Sequence, residues 1–391
     1  MKHHVARSLL AGLALVTLTS IAWADESAAD TGLRQVVQYN FSIHILAMLL
    51  VGFGFLMVFV KSYGYGATTG TYLVVAASIP LYLMLRSKGV LSAEPAAPDS
   101  VKSLLLAEFA CASALIAMGA VLGRLRIFQY ALLALLIVPA YMVNEWMVLD
   151  GGLGLTHGFV DAAGSIVIHA FGAYFGLGLA VALASKRAAQ SVESNDTSDR
   201  FSMLGSMVLW MFWPSFCCAI VPSDQMPRTA INTVVALSGA TLGTFILSCL
   251  LRNGKTCFAD MANAALAGGV AIGATCNLVK PGLAFGIGGL AGALSVIGYV
   301  LIQPRLDKFL KITDTCGVHN LHGMPGLLGG LIAVLVTPGI AKAQLIGIVF
   351  TVALAFVTGG VAGMVMRLTG TKSEAYEDAG EFLGVVAEGG E

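Results

Sequence analysis

Charge is what this sequence has least of. Only 11% of its 391 residues are Asp, Glu, Lys or Arg, and 22 basic side chains cancel 22 acidic ones. That balance leaves no basic stripe for a phosphate backbone, which excludes a nucleic-acid partner. Cysteine is sparse and unpatterned. Cys111, Cys217, Cys218, Cys249, Cys257, Cys276 and Cys316 lie in or beside apolar runs with no CxxC spacing, so they read as packing residues rather than metal ligands or a disulfide framework. No GxxxxGK[ST] loop occurs, which removes an ATP-driven pump of that type. Nor is there room for a soluble domain, because the longest polar loop, Lys186 to Arg200, has the composition of a linker.

What is present in quantity is apolar length. The chain is 57% hydrophobic with a mean hydropathy of +0.83, the composition of an integral membrane protein. Lys2, His3, His4 and Arg7 precede an apolar stretch from Ser8 to Ala22 and a small-x-small site at Ala22-Trp23-Ala24, which predicts a signal peptide over 1–24. Eleven apolar runs follow, at 39–60, 67–85, 103–122, 127–143, 158–184, 201–221, 230–251, 258–276, 281–302, 317–336 and 344–366, most near the ~20 residues that span a bilayer. The second and fourth are short and carry Pro80 and Pro139. With the mature N-terminus outside, thirteen loop cations fall on the cytoplasmic side and seven on the other, as the positive-inside rule requires. The expected architecture is therefore an all-α membrane domain over 25–368, N-out and C-in, with a cytoplasmic tail over 369–391.

One pattern organises the rest. Asp161 to Gly176 reads DAAGSIVIHAFGAYFG and Asp314 to Gly329 reads DTCGVHNLHGMPGLLG. Superposed, Asp161 falls on Asp314, Gly164 on Gly317, His169 on His322 and Gly176 on Gly329, always 153 residues apart (322 − 169). These are the fifth and tenth runs, so the copies cross in opposite directions, which predicts an inverted repeat (about 39–184 and 201–336, with an extra helix at 344–366) and a shared site near the midplane. His169 lies about twelve residues into its run, roughly 18 Å deep at ~1.5 Å per residue, with Asp161 and Asp314 near opposite mouths. A single such histidine is read equally well as a core residue bonded across a helix contact. Two at matched positions favour function. His319 lies three residues before His322 on nearly the same face, but only His322 keeps the spacing of the first copy. Uncharged imidazoles each offer one N–H donor and one bare nitrogen, which suits a small neutral molecule that donates and accepts hydrogen bonds and suits a cation poorly.

The paired D-x7-H segments and the run H-G-x-x-G-L-L-G at His322 to Gly329 resemble the ammonium transporter family, and IHAFGAYFGL and DTCGVHNLHGMPG resemble its bacterial Rhesus-type ammonia channels. The resemblance spans essentially all eleven runs. It implies a homotrimer in the bacterial cytoplasmic (inner) membrane, each subunit holding an apolar pore lined by His169 and His322. It also implies an outer gate of two stacked phenylalanines, matched by Phe109 in Phe-Ala-Cys and by Phe216 in Trp213-Pro-Ser-Phe216, with Asp161 and Asp314 as vestibule or structural support. The chain departs from ammonium transporters proper at their outer cation cage. Cys217-Cys218-Ala219-Ile220 follows Phe216 where the family has a serine, and Trp146 lies far upstream of the fifth run. That points to the Rhesus branch and to weak recruitment of ammonium.

The function so implied is passive conduction of ammonia, not catalysis, with no cofactor and with ammonia or ammonium and membrane lipids as partners. A carbon dioxide channel would use the same apolar pore. An ion-coupled secondary transporter would need more intramembrane carboxylates, for which Asp260 is the one candidate. A metalloenzyme would need a third ligand at metal spacing, and none is evident.

Overall fold

A computed structural model describes residues 32–91, 100–184, 192–372 and 374–386, and the signal-peptide segment lies outside them. The described residues hold helices and turns but no strand. Among the described residues ten helices are long and apolar enough to cross a membrane. They are α1 Gly32–Phe59, α2 Gly64–Ser87, α3 Val101–Ala120, α4 Gln129–Val148, α5 Ser165–Ala182, α6 Asp196–Cys218, α7 Ser223–Leu251, α9 Pro281–Leu310, α10 His319–Val336 and α11 Ala341–Leu368. The eighth apolar run forms the shorter helix α8, Phe258–Ile272. A 3-10 turn at Ala264–Leu266 interrupts α8 and it ends in turns from Gly273 onward.

Both proline-bearing runs are continuous helices longer than the sequence reading gave them. Each ring removes one N–H from the helix ladder, a loss that packed membrane helices tolerate because neighbours re-satisfy the freed carbonyl. Close helix contacts follow the glycines. Gly288 and Gly292 of α9 lie against the backbone of Ala236 and Ala240 of α7, and Gly178 of α5 meets Phe356 and Gly360 of α11. Gly172 and Gly176 pack on α3, Gly326 meets the Ser165 carbonyl, and Gly330 meets Ile166. These are the small-residue approaches expected where lipid gives no hydrophobic drive between helices. The Gly282/Gly286 pair is an exception, since a Cβ at either position would meet nothing within 4 Å.

The C-terminal tail ties the loops of one face together. Tyr376 donates its N–H to the Gly123 carbonyl (2.9 Å) and Asp378 donates its own to Ser62 (3.0 Å). The Asp378 carboxylate accepts from Tyr65 N (2.8 Å) and Gly66 N (2.8 Å), occupying the otherwise unpaired first amides of α2, where a negative charge is favoured. Glu381 accepts from Ile127 N (2.8 Å) and pairs with Lys372 (3.2 Å). Lys61 pairs with Glu193 (2.9 Å) and Arg126 donates to the Thr371 carbonyl, so the loops after α1, α3 and α5 share a face with the tail. Burial pushes the Asp378 carboxyl above its ordinary range, against the two amides that pull it back down, so docking depends on those amides. Asp378→Ala is expected to release the tail at a cost of about 1–3 kcal/mol. Faster hydrogen exchange at residues 374–386 with α2 still protected is the expected record, and unchanged exchange would show that the carboxylate does not hold it.

Candidate functional site

The two halves of the repeat build the same local structure twice. Asp161 accepts from the amides of Ile166 (2.9 Å) and Val167 (2.8 Å) through one oxygen. Asp314 accepts from Val318 (3.0 Å) and His319 (3.0 Å). Between each acid and its helix the chain turns at a glycine in the left-handed region, Gly164 at φ 77° and Gly317 at φ 66°, a conformation that glycine adopts without a Cβ penalty. A π-helical turn follows in both, Ser165–Ala170 and His319–Gly323, and each histidine rides on it. The sequence reading placed His169 about twelve residues into its run. Instead the acid caps a turn, and His169 is only five residues into α5. The non-helical backbone is paired, with Ala163 N bonded to Gly273 O (2.8 Å) and Cys316 N to Gly119 O (3.1 Å). Buried in protein, it avoids the cost that bare amides carry in lipid.

These turns aim the imidazoles at each other. His169 Nδ1 lies 3.1 Å from His322 Nδ1, the rings are 3° from parallel and their centroids are 5.3 Å apart. One Nδ1 must carry the shared proton and the other must accept it. The tautomers are thereby opposed, leaving one Nε2 bare and the other bearing a hydrogen. His169 Nε2 is buried and has no protein partner. His322 borders a cavity of about 20 Å³ lined mainly by Phe53, Leu56, Met57, Leu115, Ile116, Val318 and Leu321, with Asn263 among its few polar groups. A space of that size holds about one water-sized molecule.

Aromatic rings pack beside the histidine pair. Phe109 and Phe216 are 4.7 Å apart, but at 52° they are tilted rather than stacked as the resemblance implied. Phe216 stands 6.1 Å from His169. Trp213, which the sequence reading used only as a motif marker, stacks on His169 at 5.6 Å and 16°, and Phe53 of α1 lies 6.4 Å from His322. His319 is turned away from this cavity and meets the edge of Tyr174 at 5.8 Å. Cys217 and Cys218, after Phe216, are buried, and Trp146 packs under Gly152. Among the described residues no group of three His, Cys, Asp or Glu could hold a metal ion.

One carboxylate assignment changes and one acid is new. Asp260 is bound by Arg252 at 2.7 and 2.9 Å and by Ser248 at 2.7 Å, so it is a paired structural group near the end of α7. The unclaimed acid is Glu108, fully buried in α3, which sequence reasoning passed over because it directly precedes the Phe-Ala-Cys motif. Its only signal was an ionisable residue inside an apolar run.

An all-helical, multi-pass membrane protein with a bonded histidine pair inside an apolar lining is the class that fold and site define. More narrowly, the chain belongs to the ammonium transporter family, since a profile described as Ammonium Transporter Family matches residues 9–381. Within that family it is similar to Rhesus members. It is 38% identical over 392 residues to ammonium transporter Rh type B of Bos taurus, covering 91% of this chain and 85% of that one. It is 63% identical to the solved structure of Nitrosomonas europaea Rh50, with a TM-score of 0.90 over 91% of this chain and 94% of that one. The Candida albicans Mep2 structure shares the fold at 18% identity, with a TM-score of 0.72 over 84% of this chain and 82% of that one.

The capping acids yield a stability prediction. Asp161→Ala strands two buried amides and is expected to cost about 2–4 kcal/mol, while Asp161→Asn, which keeps an acceptor, should cost less. Thermal unfolding in detergent measures both, and equal losses would show that the amide bonds are not what matters.

Proposed function

We propose that this protein is a passive channel for ammonia, with ammonium giving up its proton outside the gate and ammonia regaining one on the other side. The carrying observation is the His169–His322 bond with the Nε2 of His169 left unpartnered in an otherwise apolar interior. Opposed tautomers give a passing molecule one donor and one acceptor, which ammonia can use in turn. Ammonium has four N–H donors, and a single bare nitrogen replaces too little of its hydration for it to enter. A water-sized cavity admits ammonia and excludes hydrated ions. The Rh50 relative is described as belonging to the Rhesus protein family of channels and the Rh type B relatives are named ammonium transporters, which supports the same reading here.

In this reading Phe109 and Phe216 form the outer gate, His169 and His322 line the pore, and Asp161 and Asp314 support it by capping backbone. The short α8 counts as the eighth of eleven spans, and the matched acid, glycine and π-turn support the inverted five-plus-five repeat. The shared face of the tail and the loops after α1, α3 and α5 supports their assignment to one side, and the loop cations favour the cytoplasm. A homotrimer in the bacterial inner membrane remains part of the proposal through the Rhesus resemblance.

Proteoliposomes given an ammonia gradient are expected to alkalinise faster than empty vesicles, with no current proportional to the flux. No gain over empty vesicles removes the reading, and a proportional current favours an ion-coupled transporter. His169→Ala and His322→Ala should each slow the alkalinisation about fivefold to tenfold, the equivalent of one lost hydrogen bond. Carbon dioxide flux measured in the same vesicles tests the gas-channel alternative.

A further inference from the structure

Each gate phenylalanine is preceded by a polar residue, and both of those residues are held by one turn of α1. Ser42 donates to Glu108 Oε1 at 2.6 Å, and Glu108 directly precedes Phe109. His44 Nδ1 lies 2.9 Å from Ser215 Oγ, and Ser215 directly precedes Phe216. The first helix therefore reaches both sides of the aromatic pair from two positions two residues apart.

The two ties act on different weaknesses. Pro214 lies inside α6 and has no N–H to donate to the Trp210 carbonyl, so the turn leading into Phe216 lacks one backbone bond. His44 straddles that defect, since its ring stacks on Phe212 at 4.7 Å and 19° while its Nδ1 reaches Ser215 beyond the proline. On the other side α3 is unbroken, but Glu108 is fully buried, and its Oε2 has no partner. A buried carboxyl with a single hydrogen bond is costly where an apolar residue would pack. Its one bond runs to Ser42, so it ties the turn of α3 that carries Phe109 to α1.

Resting on the channel reading, we infer that Ser42 and His44 are positioning residues that fix the distance and tilt between Phe109 and Phe216, and so set the size of molecule the gate passes. Each acts through the residue before a gate ring, and α1 thereby joins the outer gate to His322, against which its Phe53 lies.

The test is the ratio of methylamine to ammonia flux in proteoliposomes, a quantity that a uniform loss of folded protein leaves unchanged. Ser42→Ala and Ser215→Ala each break one tie on a different helix, so either alone suffices if the other fails to fold. Each is expected to raise the ratio about twofold to fivefold, while Ser42→Thr and Glu108→Gln, which keep a donor and an acceptor, should stay at the wild-type ratio. Phe109→Ala and Phe216→Ala serve as controls. If the controls raise the ratio and both serine variants leave it unchanged, the inference is overturned. If the controls also leave it unchanged, the gate assignment itself falls and takes the inference with it.

Discussion

The hydrogen bond between His169 Nδ1 and His322 Nδ1 is the constraint on which the rest of the structure depends. Two imidazoles meet edge to edge and nearly coplanar only if the helices that carry them start at the right height and rotation. Each helix start is fixed by an aspartate on two amides and a glycine turn. Those turns are deep in the protein, so their own backbone must be paired, and α8 and α3 supply the partners through Gly273 and Gly119. The chain of dependence runs from ring geometry through capping to the packing of helices distant in sequence.

The same bond governs the chemistry. Sharing one proton between the two Nδ1 atoms fixes opposed tautomers, and the outward nitrogens are then unlike. Trp213 and Phe53 cover the pair from two sides, and the cavity beside His322 is largely aliphatic and aromatic. In such surroundings a hydrogen bond is strong and a bare charge is expensive. Selection for a small neutral molecule over its protonated form thus needs no dedicated charged filter, only a dry lining with one donor and one acceptor.

Polar side chains away from the histidines divide by whether they are paired. Asp260 is fully bonded to Arg252 and Ser248 and holds a helix end. Glu145 is held by Tyr82 and Arg86. Glu108 keeps one oxygen unbonded beside the aromatic pair. The aspartate that looked most like a coupling site is the most conventional of the three, because Arg252, just past the end of α7, reaches across the intervening loop and satisfies it.

Legible without coordinates were the bilayer as solvent, the ten long apolar helices and the duplicated Asp–Gly–His spacing, which singles out His322, the histidine that meets His169. Those features rest on composition and on residue intervals, which survive without coordinates. Folding alone settled that the fifth and tenth runs begin as capped turns, that the eighth is short, that Phe109 and Phe216 are tilted, that Trp213 and Phe53 lie against the histidines, and that Ser42 and His44 bond the residues before the two phenylalanines. None of these has a local signature. The paired histidines are 153 residues apart and Ser42 and Glu108 are 66 apart, and a ring's angle or a carboxyl's partner is set by what the folded neighbours leave room for.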